Sequence, residues 1–169
     1  ESLSSLWKCL SQTSDEFRAS PMWESINSEV FNNPDKTDLN RLRDGSQNMQ
    51  PVLWDIQPNA MRFYKFLLFD SALDTDIGTL ALLDRIPHRD IGNPIRVTIK
   101  GRQVCLDYLQ AVHEIDFLED VLDDCESVLE IGVGYGRTCH AVLSVYENVT
   151  SYRIIDLPQC LRLAERHLR

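Results

Sequence analysis

Gly132-Val133-Gly134-Tyr135-Gly136 follows directly on the apolar run Val128-Leu129-Glu130-Ile131 and leads into a helical stretch from Arg137 to Tyr146. Glycine at every second position suits neither a helix nor a strand interior, so this segment is a tight turn between the two. Ala141, Val142, Val145 and Tyr146 give the helix an inward face. Asn148-Val149-Thr150 returns the chain to a second apolar run, Tyr152-Arg153-Ile154-Ile155, which ends in Asp156. Leu157-Pro158 then opens a helix with Leu161, Ala164 and Leu168 on one side, the proline fitting the first turn. Strand, glycine turn, helix, strand and helix define an α/β unit whose two strands run parallel and are buried.

Glycines at such a turn let a ligand approach the main chain where side chains would collide. An acid at the tip of the next strand, about 20 residues on, is placed to accept hydrogen bonds from ribose hydroxyls. Nucleoside binding follows from the two together. A dinucleotide site takes G-x-G-x-x-G, but Arg137 stands where that pattern places its third glycine. Glu130 is also out of place beside a pyrophosphate and suits a ligand carrying an amino group.

The segment Val128–Gly136 resembles motif I of class I S-adenosylmethionine-dependent methyltransferases, and Ile154-Ile155-Asp156-Leu157-Pro158 resembles their acidic-loop motif II. Gly92-Asn93-Pro94, a hairpin around Gly101, the helix from Asp107 and Gly134-Tyr135-Gly136-Arg137 together resemble the sugar O-methyltransferase family of polysaccharide and antibiotic pathways. The resemblance implies a Rossmann-like sheet binding S-adenosylmethionine and releasing S-adenosylhomocysteine. It implies that Gly132, Gly134 and Gly136 line the methionine end, Glu130 holds the amino group, Asp156 binds the ribose and Leu157 lies against the adenine. A sugar hydroxyl is the implied acceptor. A sugar amine, a nucleotide-dependent oxidoreductase and a cofactor-binding module without catalysis remain alternatives. No catalytic base is assigned, because this superfamily draws it from later strands.

Upstream, residues 1–84 read as a helical segment serving as a lid or homodimer surface. Ser20-Pro21 starts one helix and Asn32–Gln50 is loop or weak helix. Pro58 opens a helix with Tyr64, Leu67 and Ser71 inward and Phe63, Phe66 and Leu73 widening the apolar face, and Asp76 caps the next, with Ile77, Leu80, Ala81 and Leu83 inward. Residues 85–106 form a β-hairpin connector turning at Lys100-Gly101. Residues 107–169 begin the cofactor domain. There Asp107-Tyr108-Leu109-Gln110 is spelled like a capping box, and Tyr108, Ala111, Ile115, Leu118 and Leu122 form a helical face. His113 and Glu114 lie on that helix, Glu114 as a secondary site candidate.

A net charge of −9 disfavours a sequence-independent grip on nucleic acid or docking on an anionic membrane, and no run of about 20 apolar residues exists. The odd number of cysteines, five and never spaced C-x-x-C, points to reduced thiols, a cytoplasmic location and no metal site. Cys139 and Cys160 are expected as core filler, and Asn148 matches the glycosylation sequon by spelling only. The chain lacks an initiating methionine and stops at Arg169 within a helical pattern. We therefore expect a truncated domain that continues for about 150–200 further residues, and expect this length alone to self-associate and lack turnover.

Overall fold

The segment order expected around the glycine turn is the order observed. In the computed structural model, which describes residues 20–29, 34–44 and 61–169, β3 (Ser127–Ile131), α6 (Arg137–Val145), β4 (Ser151–Ile155) and α7 (Pro158–Leu168) follow one another. β3 and β4 pair in parallel, from Ser127 opposite Ser151 to Ile131 opposite Ile155. Val128, Glu130, Tyr152 and Ile154 are half-buried on one face, while Leu129, Ile131 and Ile155 are exposed on the other. The fold is mixed α/β, with two separate two-stranded sheets.

The second sheet is the expected hairpin, β1 (Arg96–Ile99) and β2 (Arg102–Cys105), antiparallel with Val97 opposite Val104. Lys100 and Gly101 turn it with φ of 49° and 82°, the double left-handed geometry that matches strand twist. Helix α4 (Leu106–Phe117) leaves the hairpin, and a single turn, α5 (Glu119–Leu122), ends before Asp123. Tyr108, Ala111, Ile115 and Leu122 are buried as their spacing predicts. Leu118 is not, since the helix breaks there, at φ −99° and ψ 6°.

Before the hairpin, α1 (Pro21–Glu29) starts at the expected proline. Short 3-10 turns, Pro34–Lys36 and Leu39–Arg41, occupy the described part of the polar stretch. α2 (Met61–Asp74) and α3 (Ile77–Leu82) follow, and the Asp76 carboxylate caps α3 by accepting from the Gly78 and Thr79 amides at 2.7 and 3.3 Å. Pro58, read as opening α2, lies outside the described residues, as do the side chains of Phe63 and Tyr64. The expected face of α2 is wrong. Leu68 and Ala72 are buried against the hairpin, whereas Phe66, Leu67, Ser71 and Leu73 are exposed. An aromatic-rich helix has apolar residues all round, and only the strand it meets decides which stripe is covered. The face of α3 also shifts: Thr79, Leu80 and the following Leu83 are buried, while Ile77 is 58 % exposed.

The main core joins these parts: Leu68, Ala72, Leu80 and Leu83 meet Ile99, Val104, Tyr108, Ile115, Val142 and Val145. Cys139 and Cys160 are buried filler as expected. Asn148 donates to the Leu122 and Cys125 carbonyls at 2.7 and 2.8 Å, so its amide ties off the end of α5. No helix among the described residues is long and apolar enough to cross a membrane.

Candidate functional site

Five residues link the end of β3 to α6, and three of them are held left-handed: Gly132, Gly134 and Gly136 have φ of 86°, 58° and 98°. The Gly132 amide donates to the Ile155 carbonyl at 2.9 Å, locking the turn to the tip of β4. A methyl group added at Gly132 would meet no heavy atom within 4 Å, so this backbone borders open space. Gly136 differs. It is buried, and an added methyl would lie 3.0 Å from Leu168 Cγ. Its lack of a side chain lets the end of α7 pack on the start of α6.

Asp156 sits where the sequence puts it, one residue beyond β4. Its Oδ2 accepts from the Gly134 amide at 2.8 Å and its Oδ1 from the Leu157 amide at 2.6 Å. The acid thus clamps the glycine turn and holds the amide of Leu157, the residue before α7. The Cys160 thiol is also bonded to this carboxylate, which keeps lone-pair capacity for a hydroxyl donor. Leu157 packs at the edge of a small cluster formed by Leu42, Tyr135, Cys160 and Leu163. Glu130 is half-buried, and the Tyr152 hydroxyl donates to its Oε2 at 2.9 Å. Burial pushes the Glu130 carboxyl above the usual range, against the hydrogen bond from Tyr152 and the positive charge of Arg137. Tyr152 was not anticipated, yet alternation along β4 puts it on the Glu130 face, diagonal to the Glu130–Ile154 pair.

Arg137, at the start of α6, forms an ion pair with Glu114, Nη2 lying 2.7 Å from Oε1. The Thr138 hydroxyl adds a bond to Glu114 at 3.1 Å. The secondary candidate Glu114 is therefore beside the turn, engaged by the helix that follows it. His113 lies apart, its Nε2 3.1 Å from the Thr75 hydroxyl.

Behind the turn lies a buried polar network that the sequence did not disclose. Arg43, 1 % exposed, donates from Nε and Nη2 to the two Asp107 oxygens at 2.5 and 2.6 Å. Tyr135, from the glycine turn, donates its hydroxyl to Asp107 Oδ2 at 2.6 Å. The Tyr108 and Tyr135 rings lie 4.8 and 5.8 Å from the guanidinium carbon. Asp107 is thus not the helix cap its spelling suggested: α4 begins at Leu106, and the carboxylate serves Arg43. Burial works against the charged carboxylate, but the Arg43 charge and the bonds from Arg43 and Tyr135 outweigh it, leaving Asp107 below the usual range. Beside the network, Tyr108 shares a 2.6 Å bond with His140 Nδ1. Burial, then His140 and Arg43, push His167 down to about 4, so that ring is neutral near pH 7.

The Tyr135 hydroxyl is bonded to a charge and that of Tyr108 to a neutral ring. Tyr135→Phe is expected to cost about 1.5–3 kcal/mol of stability and Tyr108→Phe about 0.5–1.5 kcal/mol. Urea titration of both variants checks the order, and equal losses would contradict the assignment.

Two described cavities lie away from the turn. One, of about 560 Å³, is walled by Asp76, Asp116, Glu119, Asp123 and Glu147. The other lies beside the hairpin, between β2 and the loop before β1. No group of His, Cys, Asp or Glu among the described residues is arranged to hold a metal ion. No family model, curated protein or solved structure matches the chain.

Proposed function

We propose that the chain carries the cofactor-binding part of a Rossmann-like, S-adenosylmethionine-dependent methyltransferase acting on a sugar hydroxyl. The observation that carries this reading is the pairing of two acids around one open glycine. Glu130 is the last residue but one of the strand before Gly132, Asp156 follows the paired strand directly, and Gly132 borders open space. A half-buried carboxylate at Glu130 fits the ammonium of a methionine moiety, and Asp156 has lone pairs for ribose hydroxyls. When bound, S-adenosylmethionine supplies a methyl group on a sulfonium, which an acceptor hydroxyl takes as its proton leaves. The chain's residues contribute position: Tyr152 orients Glu130, and Asp156 keeps the turn against β4.

Calorimetry with S-adenosylhomocysteine, adenosine and NAD tests this. S-adenosylhomocysteine should bind and NAD should not. Glu130→Gln should weaken S-adenosylhomocysteine by about tenfold, the equivalent of 1.4 kcal/mol, and leave adenosine unchanged. NAD binding in preference, or equal losses for both nucleosides in Glu130→Gln, would refute the reading.

A further inference from the structure

Arg96 and Cys105 stand opposite each other in the hairpin and Gln103 lies one same-face step further along β2. By strand alternation they share the face opposite Ile99 and Val104, and Cys105, at the hairpin's end, is also buried at the edge of the same core. Across from them runs the loop of residues 86–95, contributing His88, Arg89, Asp90 and Pro94. Between the two walls is a cavity of about 270 Å³.

This loop is preset. His88 and Asn93 are both held at φ 53°, a conformation that strains non-glycine residues and persists only where the surroundings enforce it. The enforcing group is Arg43. Its amide donates to the Gly92 carbonyl at 2.8 Å, and its Nη1 donates to the Arg89 and Ile91 carbonyls at 2.7 and 2.9 Å. A wall fixed before a ligand arrives lowers the entropy cost of binding.

The lining is chemically distinct within an acidic chain of net charge −9. Two arginines face one aspartate, with an imidazole and a primary amide beside them. Among the described residues, the only hydrogen bond of the Arg96 guanidinium is a 3.4 Å contact with Asn93 Oδ1, so most of its donor fork remains for a ligand. On the floor, burial and then Asp107 push the Cys105 thiol up to about 12, which keeps it uncharged at neutral pH. The cavity has a volume of about 270 Å³. That is room for one sugar-sized ring with a charged substituent.

We propose that this cavity binds a small polyol bearing an oxyanion, a phosphate ester or a carboxylate. Arg96 takes the anion, Arg89 adds its charge while donating to the Ile86 carbonyl at 3.1 Å and lying 4.0 Å from Asp84, and Asp90 accepts from hydroxyls. The site goes beyond the methyltransferase reading and does not depend on it, since no residue of the glycine turn lines it.

Ligand-observed NMR and calorimetry on the whole chain test the proposal with glucose 6-phosphate, glucuronate, inorganic phosphate and glucose. Glucose 6-phosphate or glucuronate should bind saturably and glucose should not; which of the two binds more tightly identifies the anion. Arg96→Gln should weaken binding about tenfold or more, equivalent to 1.4 kcal/mol, and Arg96→Lys by less. Lys65→Gln, which removes an exposed cation on α2, should change nothing. Asp90→Asn should tighten inorganic phosphate severalfold by removing a like charge, a gain that misfolding would not produce. Absence of binding to both anions, glucose binding as tightly as its phosphate, or equal losses in Arg96→Gln and Lys65→Gln would overturn it.

Discussion

Replacing Arg43 with methionine is expected to remove about 3–5 kcal/mol of folding stability, the usual cost of stranding one member of a buried ion pair, and to invert its pH dependence. Arg43 and Asp107 are both buried and joined by two bonds. In the native chain the Asp107 carboxyl lies below its ordinary value, because the Arg43 charge and hydrogen bonds outweigh burial. A depressed carboxyl contributes stability above its unfolded value of about 3.9, and that contribution is lost as pH falls through the folded value. Without Arg43, burial is largely unopposed, although the Tyr135 hydroxyl still donates. The carboxyl then lies above its ordinary value, and stability falls as pH rises from about 4 toward neutrality. Chemical denaturation of both proteins between about pH 3 and pH 7 reads the two opposite slopes. The double variant Arg43→Met/Asp107→Leu should recover most of the loss, since neither charge is left buried. An unchanged slope in Arg43→Met would mean that the pair is not coupled as its geometry indicates.

That pair also marks where sequence reading stopped. β3, α6, β4 and α7 were legible because each is a short periodic run bounded by glycine, asparagine or proline, so local physics settles it. The hairpin was legible for the same reason. Arg43 was not: it reaches Asp107 across 64 positions, and nothing near either residue distinguishes it from a surface charge. The spelling of Asp107-Tyr108-Leu109-Gln110 pointed to a local cap, and the tertiary partner prevailed. The face of α2 failed for a related reason. Its Leu68–Ala72 stripe is chosen by β1, and the larger aromatic residues beside it are left exposed. Around the turn, sequence placed Glu130 and Asp156 at the same end of one parallel pair, one just inside β3 and the other just past β4. It treated the three glycines as equivalent, whereas the packing of α7 separates Gly136 from Gly132.

That separation gives the sharpest test of the glycine turn. Gly132→Ala adds a methyl group to open space, so no protein atom within 4 Å has to move. The backbone angle, φ 86°, still strains any other residue, at about 1–2 kcal/mol. The chain should stay folded with a modest loss of stability. If a ligand lies against this backbone, the same methyl occupies its path, and S-adenosylhomocysteine affinity should fall about a hundredfold, near 2.8 kcal/mol. Gly136→Ala should behave in the opposite sense. Its methyl meets Leu168 Cγ at 3.0 Å, an overpacking that costs about 1–3 kcal/mol on top of the strain at φ 98°, while any effect on affinity is indirect, through α7 or the strained turn. Leu168→Ala in the Gly136→Ala background should restore part of the stability by making room. Denaturation and calorimetry on the same preparations separate the two effects. A Gly132→Ala protein that keeps its affinity while Gly136→Ala loses it would move the ligand off the open side of the turn and toward the contact between α6 and α7.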